Sequence, residues 1–229
     1  MAIYQKISNM KDIYIPLTKG YISNLDLYIK DKWEYIKLLL DLTRYALFVD
    51  ANTRSPNALP YLYFYLQKRK NAYRIFLFIE NDEEKEKRYI SFNFPFRLTY
   101  NNDNNKIESF TFNFNSKEFS IDLEVISDLI RIINSKKNDS SFVDVALYAE
   151  DLKSTEIEIL DGLLQLEPGY IRYDEDKKHE NGNIHPRYHL DVNFSRTATF
   201  KQGITKELAT KDFEDIFEDD TDCWFLKKL

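Results

Sequence analysis

The chain has 229 residues, 32 of them basic and 38 acidic, for a formal charge of −6, and 43% of it is hydrophobic. That length fits one domain, or one domain with a small appendage, and the acid excess works against a general nucleic-acid coat, which needs surplus cations to displace counterions. Only 5 glycines and neither a GxGxxG nor a GxxxxGK[ST] run exclude the usual phosphate loops, while a lone cysteine, Cys223, excludes an internal disulfide or a cysteine-rich zinc site.

The first residues, MAIYQKISNMKDIYIPL, lack the basic and apolar regions of an export signal, and no run approaches about 20 apolar residues. A cytoplasmic location with no membrane partner is the expectation. Residues 23–50 read as one long helix, with Trp33, Ile36, Leu40 and Leu47 at helical spacing. NTRSPNALP at 52–60 ends it as a loop.

A strand-rich stretch follows, drawing on 16 Tyr and 17 Phe in the chain. Tyr61–Leu66 and Tyr73–Ile79 are dense in aromatic and branched residues. Arg88–Phe96 alternates with Ile90, Phe92, Phe94 and Phe96 on one side, and 107–114 repeats the pattern with Phe110, Phe112 and Phe114. NNDNNK at 101–106 reads as the turn of a hairpin between those two, since Asn tolerates positive φ. The phenylalanine set is expected to be core rather than a base-stacking platform.

Asp122–Ile133 reads as an amphipathic helix and Phe142–Tyr148 as a strand. Thr155–Leu166 reads as a helix opened by a capping box from Thr155 to Glu158. Tyr170–Asp174 and Arg187–Ser195 read as two strands joined by a polar loop. A last helix begins near Thr210 and runs into acidic residues carrying Phe213, Ile216, Phe217, Trp224 and Phe225. The fold class is therefore α+β: an antiparallel, aromatic-rich sheet with helices packed on one face. Residues 1–205 form the domain, and 206–229 an acidic C-terminal helix or tail. That tail suits either docking on a basic protein partner or packing on its own core.

All three histidines, His179, His185 and His189, fall within eleven residues. Strand periodicity over IHPRYHLDVNFS sends His185, Arg187, His189, Asp191, Asn193 and Ser195 to one side, with Arg172 and Asp174 joining from the preceding strand. Three readings of this face are open. His185, His189 and Asp191 are types that ligate a divalent metal, which would activate water for phosphodiester hydrolysis. Without metal, the imidazoles would shuttle protons while Arg172 and Arg187 clamp a phosphate. Or the face is the wet side of a sheet, or a partner-binding surface to which Asn193 and Arg196 add polar contacts. The pattern is neither HExxH nor an HNH element, and Ser195 has no GxSxG setting. Lys68, Arg69, Lys70 and Arg74, with Arg172, Arg187, Arg196 and Lys201, would supply a basic groove if nucleic acid is the partner.

The segment GYIRYDEDKKHENGNIHPRYHLDVNFS, residues 169–195, resembles a family of bacterial proteins of unknown function. In that family a strand ending Arg-Tyr-Asp precedes His-Pro and a further His on the next strand, positions held here by Arg172, Tyr173, Asp174, His185, Pro186 and His189. The resemblance implies a place in mobile or anti-phage islands and assigns no catalytic residue. This chain lacks that family's denser histidine run. Two functions are carried forward: a non-catalytic protein- or nucleic-acid-binding subunit of such a system, and a phosphodiester-cleaving enzyme using His185, His189 and Asp191.

Overall fold

The computed structural model describes residues 12–67, 72–81, 85–135, 153–197, 199–218 and 220–222. The strand expected at Phe142–Tyr148, Cys223, Trp224, Phe225 and the basic run Lys68–Lys70 lie outside the described residues.

Seven strands form the main sheet: β1 (Ile13–Pro16), β2 (Tyr61–Gln67), β3 (Ala72–Glu80), β4 (Lys87–Phe94), β8 (Ile171–Glu175), β9 (Tyr188–Val192) and β10 (Phe200–Gly203). They lie in the order β1-β2-β3-β4-β8-β9-β10, and every pairing is antiparallel. A smaller antiparallel sheet holds β5 (Arg97–Asn101), β6 (Lys106–Phe114) and β7 (Lys117–Ser120) in that order. The helices are α1 (Lys19–Ile22), α2 (Lys32–Phe48), α3 (Leu123–Ser135), α4 (Ser154–Gln165) and α5 (Thr210–Asp215). The α+β class with a dominant antiparallel, aromatic sheet is what the periodicity predicts. None of the helices among the described residues is long and apolar enough to cross a membrane.

Alternation divides the central strands into two apolar faces. Leu62, Phe64, Ile75, Leu77, Ile90 and Phe92 join α2, α3, α4 and the small sheet in one large core. Tyr61, Tyr63, Phe76, Phe78, Tyr89, Tyr173 and Leu190 form a second cluster on the opposite face, closed by Leu208 and by Phe213 of α5. The three longer helices thus share one face, and the short C-terminal helix covers the other. Phe94, Phe96, Phe110 and Phe112 are buried, with ring centroids 5.3 Å apart for Phe94 and Phe96, 5.6 Å for Phe94 and Phe110, and 5.8 Å for Phe96 and Phe112, so this phenylalanine set is core.

Three boundaries differ from the sequence reading. The long helix begins at Lys32, not at residue 23, because Asp31 caps it by accepting from Trp33 N at 2.9 Å and Glu34 N at 3.0 Å. The hairpin at 101–106 joins β5 to β6 rather than extending β4. Pro95 has no N–H to continue the ladder, and after it the chain enters the small sheet, where Asn101 pairs with Lys106 and Asn105 takes φ +55. The cap of α4 is Glu156, which accepts from Lys153 N at 2.8 Å. Glu158 instead receives Lys117 Nζ at 2.6 Å.

Helix α5 turns Phe213 onto the sheet, with Ile216 and Phe217 just beyond its end, and Glu214 is partly buried. Burial drives the Glu214 carboxyl up to about 7; Lys211 opposes the rise, and Asp215, Glu218 and Asp12 add to it. The folded state therefore holds a proton that the unfolded chain, with an ordinary value of 4.5, has already released. Stability contributed by this group is complete below that lower value and is lost as pH rises through about 7. The expected loss is on the order of 2 kcal/mol after allowance for partial solvent contact. Urea unfolding should show Glu214→Gln gaining stability over the parent at about pH 8 but not at about pH 5.

Candidate functional site

Strand order places two charged rows across β4, β8, β9 and β10. Arg88 lies opposite Asp174, Asp174 opposite His189, and His189 opposite Gly203. Ile90 lies opposite Arg172, Arg172 opposite Asp191, and Asp191 opposite Lys201. These side chains share the face of the large core, beyond the area that α2 covers, and the 23–31 segment crosses them. Tyr28 receives a hydrogen bond from Arg88 Nη2 at 2.9 Å, and its ring lies 4.5 Å from the Arg88 guanidinium carbon and 5.6 Å from that of Arg172.

The rows form an ion network in which one buried oxygen, Asp191 Oδ1, is left without a hydrogen-bond partner among the described residues. Arg88 Nε donates to Asp174 Oδ1 at 2.6 Å, and Arg172 Nε donates to Asp174 Oδ2 at 2.5 Å. Arg172 Nη2 donates to Asp191 Oδ2. Asp174, Asp191 and His189 are buried. Burial alone would raise the Asp174 carboxyl, but Arg172 and Arg88 outweigh it and hold the group below its usual range. The same carboxylates outweigh desolvation on the arginines and push both guanidinium values up.

The three imidazoles do converge. His185 and His189 rings sit 4.8 Å apart and His179 and His185 6.4 Å apart, running from an exposed loop into the network. Asp176 bonds His179 Nδ1 at 3.0 Å and lies 3.9 Å from His185 Nε2. His189 Nδ1 donates to the Pro186 carbonyl at 2.9 Å, which leaves Nε2 facing Asp174 Oδ2 at 3.9 Å. Lys201 Nζ bonds His185 Nε2 at 3.0 Å and stands 4.0 Å from Asp191 Oδ1.

Other members of the predicted set are elsewhere. The strand extends over Tyr188–Val192 rather than Arg187–Ser195. Arg187 precedes it and donates at 2.6 Å to Glu175, which alternation puts on the face opposite Asp174. Asn193 ends the strand at φ +63, with its N–H on the Tyr170 carbonyl at 2.8 Å. That left-handed residue breaks the period of two, so Phe194 stacks on Tyr35 and meets Tyr170 edge to face instead of following Leu190. Ser195 bonds Thr197, and Arg196 pairs with Asp31 at 2.5 Å. The basic groove does not assemble from the residues described. Arg74 is buried, and Arg172, Arg187, Arg196 and Lys201 each face a partner within the fold. Arg88 and Tyr28 were not singled out by sequence. Arg88 belongs to the same alternating set as Ile90, but nothing local says that β4 neighbours β8.

Asp174, His189 and Asp191 each bring a ligand atom within 4.8 Å of the others. Asp174 thus takes the place that the metal reading gave to His185. The donor types, and the His189 Nδ1 anchor on a carbonyl, are those of a divalent-metal site. The charge balance is not. Two guanidinium groups already offset the two carboxylates, and Lys201 adds a third positive charge. A dication would enter against that excess and would compete with both arginines for Asp174. The charge balance works against a metal, while the donor types and the unpartnered, buried Asp191 Oδ1 would suit one. A cleft of about 1110 Å³ beside Arg88 and Tyr28 carries Lys19, Lys85 and Lys87 interleaved with Glu80, Glu86 and Glu175, a mixed lining that makes no phosphate clamp.

Compared with family models, curated proteins and solved structures, the chain matches none.

Proposed function

We propose that the chain is a non-catalytic subunit that binds a protein partner. The observation that supports this most is the pairing of Asp174 and Asp191 with Arg88 and Arg172. A hydrolase needs carboxylates free for a metal or a proton and guanidinium groups free for phosphate; here each is committed to the other. Nucleic acid is the weaker partner class, because among the described residues the cations expected to form a groove are buried or paired.

The surface that suits a protein is β10, an edge strand of the main sheet whose outer side is unpaired among the described residues, bearing Phe200 at 66% exposure. An extended partner segment adds to such an edge through main-chain hydrogen bonds. Ile184, 84% exposed on the loop before β9, adds apolar area. The apolar residues of α5 are turned inward, so a contact through the C-terminal segment would use its carboxylates. The setting in a bacterial defence or mobile element rests on the resemblance of residues 169–195.

The test pairs two measurements. Hydrolysis of DNA, RNA and a chromogenic phosphodiester with Mg²⁺ or Mn²⁺ should stay at background. Affinity capture from the native host should retain one partner stoichiometrically with the parent chain and lose it with Phe200→Asp. Cleavage abolished by His189→Ala in a folded protein would overturn the reading in favour of an enzyme.

A further inference from the structure

The second face of the sheet holds a guanidinium outside the network. Arg74 of β3 lies with Phe76 and Phe78 and is 6% exposed. Nη1 and Nη2 both donate to the Gly169 carbonyl, at 3.0 and 2.9 Å, and Nη1 also donates to Ser91 Oγ at 3.3 Å. A guanidinium has five N–H groups. These bonds use the end-on fork and the outer hydrogen of Nη1. The two that are left, Nε–H and the outer Nη2–H, run parallel along one edge, and that edge grips a carboxylate at two points.

Nε has no hydrogen-bond partner, and no carboxylate among the described residues pairs with Arg74. The Phe217 ring lies 4.0 Å from the guanidinium carbon, and Nε itself is buried. A buried cation without a counter-charge is costly, and burial lowers the Arg74 value to about 10, with Tyr35 opposing. Gly169 shows how tightly the other side is built. It sits at φ +53, and a side chain there would meet Asn93 Nδ2 at 2.8 Å and Arg74 Nη2 at 3.1 Å.

Arg74 lines a cleft of about 710 Å³ at the ends of β3 and β4, walled by Tyr35, Phe94, Pro95, Leu166, Ile216 and Phe217. That size suits a small organic ligand. Among the described residues Arg74 is the one cation of the lining, and Glu167 and Glu218 are its acids. From those residues a dianion such as phosphate would meet one positive and two negative groups, whereas a monoanion with an apolar body matches the walls. We propose that this cleft binds a small monocarboxylate with an aliphatic or aromatic body, its carboxylate on the Nε–Nη2 edge of Arg74. The edge is shielded in the free fold, so the ligand enters as Phe217 and Ile216 give way.

The test follows the arginine Nε–H resonances by NMR, with Arg74 identified by its absence in Arg74→Lys. Titration with 3-phenylpropionate and with octanoate should move that resonance saturably, while 3-phenylpropanol and inorganic phosphate leave it in place. Arg74→Lys keeps the charge but not the fork and should weaken binding at least about tenfold, measured calorimetrically. Glu218→Gln leaves every Arg74 contact intact and should strengthen binding several-fold; it decides the matter if Arg74→Lys does not fold. No shift with either carboxylate up to about 10 mM would overturn the proposal, as would an equal response to the alcohol or an affinity indifferent to Glu218→Gln.

Discussion

Asp174→Asn should cost about 3–5 kcal/mol of unfolding free energy, among the largest single losses available on this sheet. The carboxylate is the joint acceptor of Arg88 and Arg172, at 2.6 and 2.5 Å. The amide cannot carry the charge that offsets them, so among the described residues Arg172 is left with Asp191 and Arg88 with only the Tyr28 hydroxyl. The magnitude measures the penalty of the stranded cations rather than the net worth of the pair. Lys117→Ala is the comparison, because its bond to Glu158 is solvent-exposed and should be worth less than about 1 kcal/mol. The pH dependence has a definite sign. Asp174 is held below its ordinary value of 3.8 in the fold, so its stabilisation is present above that value and is lost as pH falls through the lower folded one. The variant should lack that part of the acid limb in urea melts taken from neutral pH downwards.

Phe213→Ala should cost a comparable amount, about 3–5 kcal/mol, for an unrelated reason. The ring is fully buried, with centroids 6.0 Å from Phe76, 5.8 Å from Tyr89 and 5.6 Å from Phe217. It pins α5 across the aromatic face of the sheet. Truncation leaves a cavity among rigid rings that cannot collapse into it. Chemical denaturation gives the loss, and limited proteolysis should cut near α5 in the variant well before the parent. Phe200→Ala, by contrast, removes an exposed ring and should change stability by no more than about 0.5 kcal/mol. A chain in which Phe213→Ala is silent would be one whose acidic C-terminal segment is held elsewhere.

How much of this could be read from the sequence follows from the range over which each signal acts. Period-two alternation is local, and it located β2, β3, β4 and β6 and put Arg172, Asp174, His189 and Asp191 on one face. Capping chemistry is also local: Asp31, with Glu34 accepting from Lys30 N, marks the start of α2, although apolar residues continue upstream of it. The turn at 101–106 was readable from its asparagines, but its first arm was assigned across Pro95 into β4. What no local pattern carries is which strands lie side by side. β4 and β8 are separated by the small sheet and two helices, so Arg88 enters the site only through tertiary pairing. Charge identity was legible and charge commitment was not. Arg172 and Arg187 look alike as phosphate clamps until register gives one to Asp174 and Asp191 and the other to Glu175. Asn193 ends the alternation early, which is why Ser195 does not join the face that strand periodicity predicts for it.

The account turns on whether the buried carboxylates belong to the arginines. Isothermal titration of the purified chain with Mn²⁺ and with Zn²⁺ asks this directly, because both ions favour an Asp174, His189 and Asp191 donor set. With the carboxylates neutralised from within, neither ion should give a saturable, stoichiometric heat, and His189→Ala should behave as the parent does. One ion bound per chain, with binding abolished by His189→Ala in a folded protein, would contradict it.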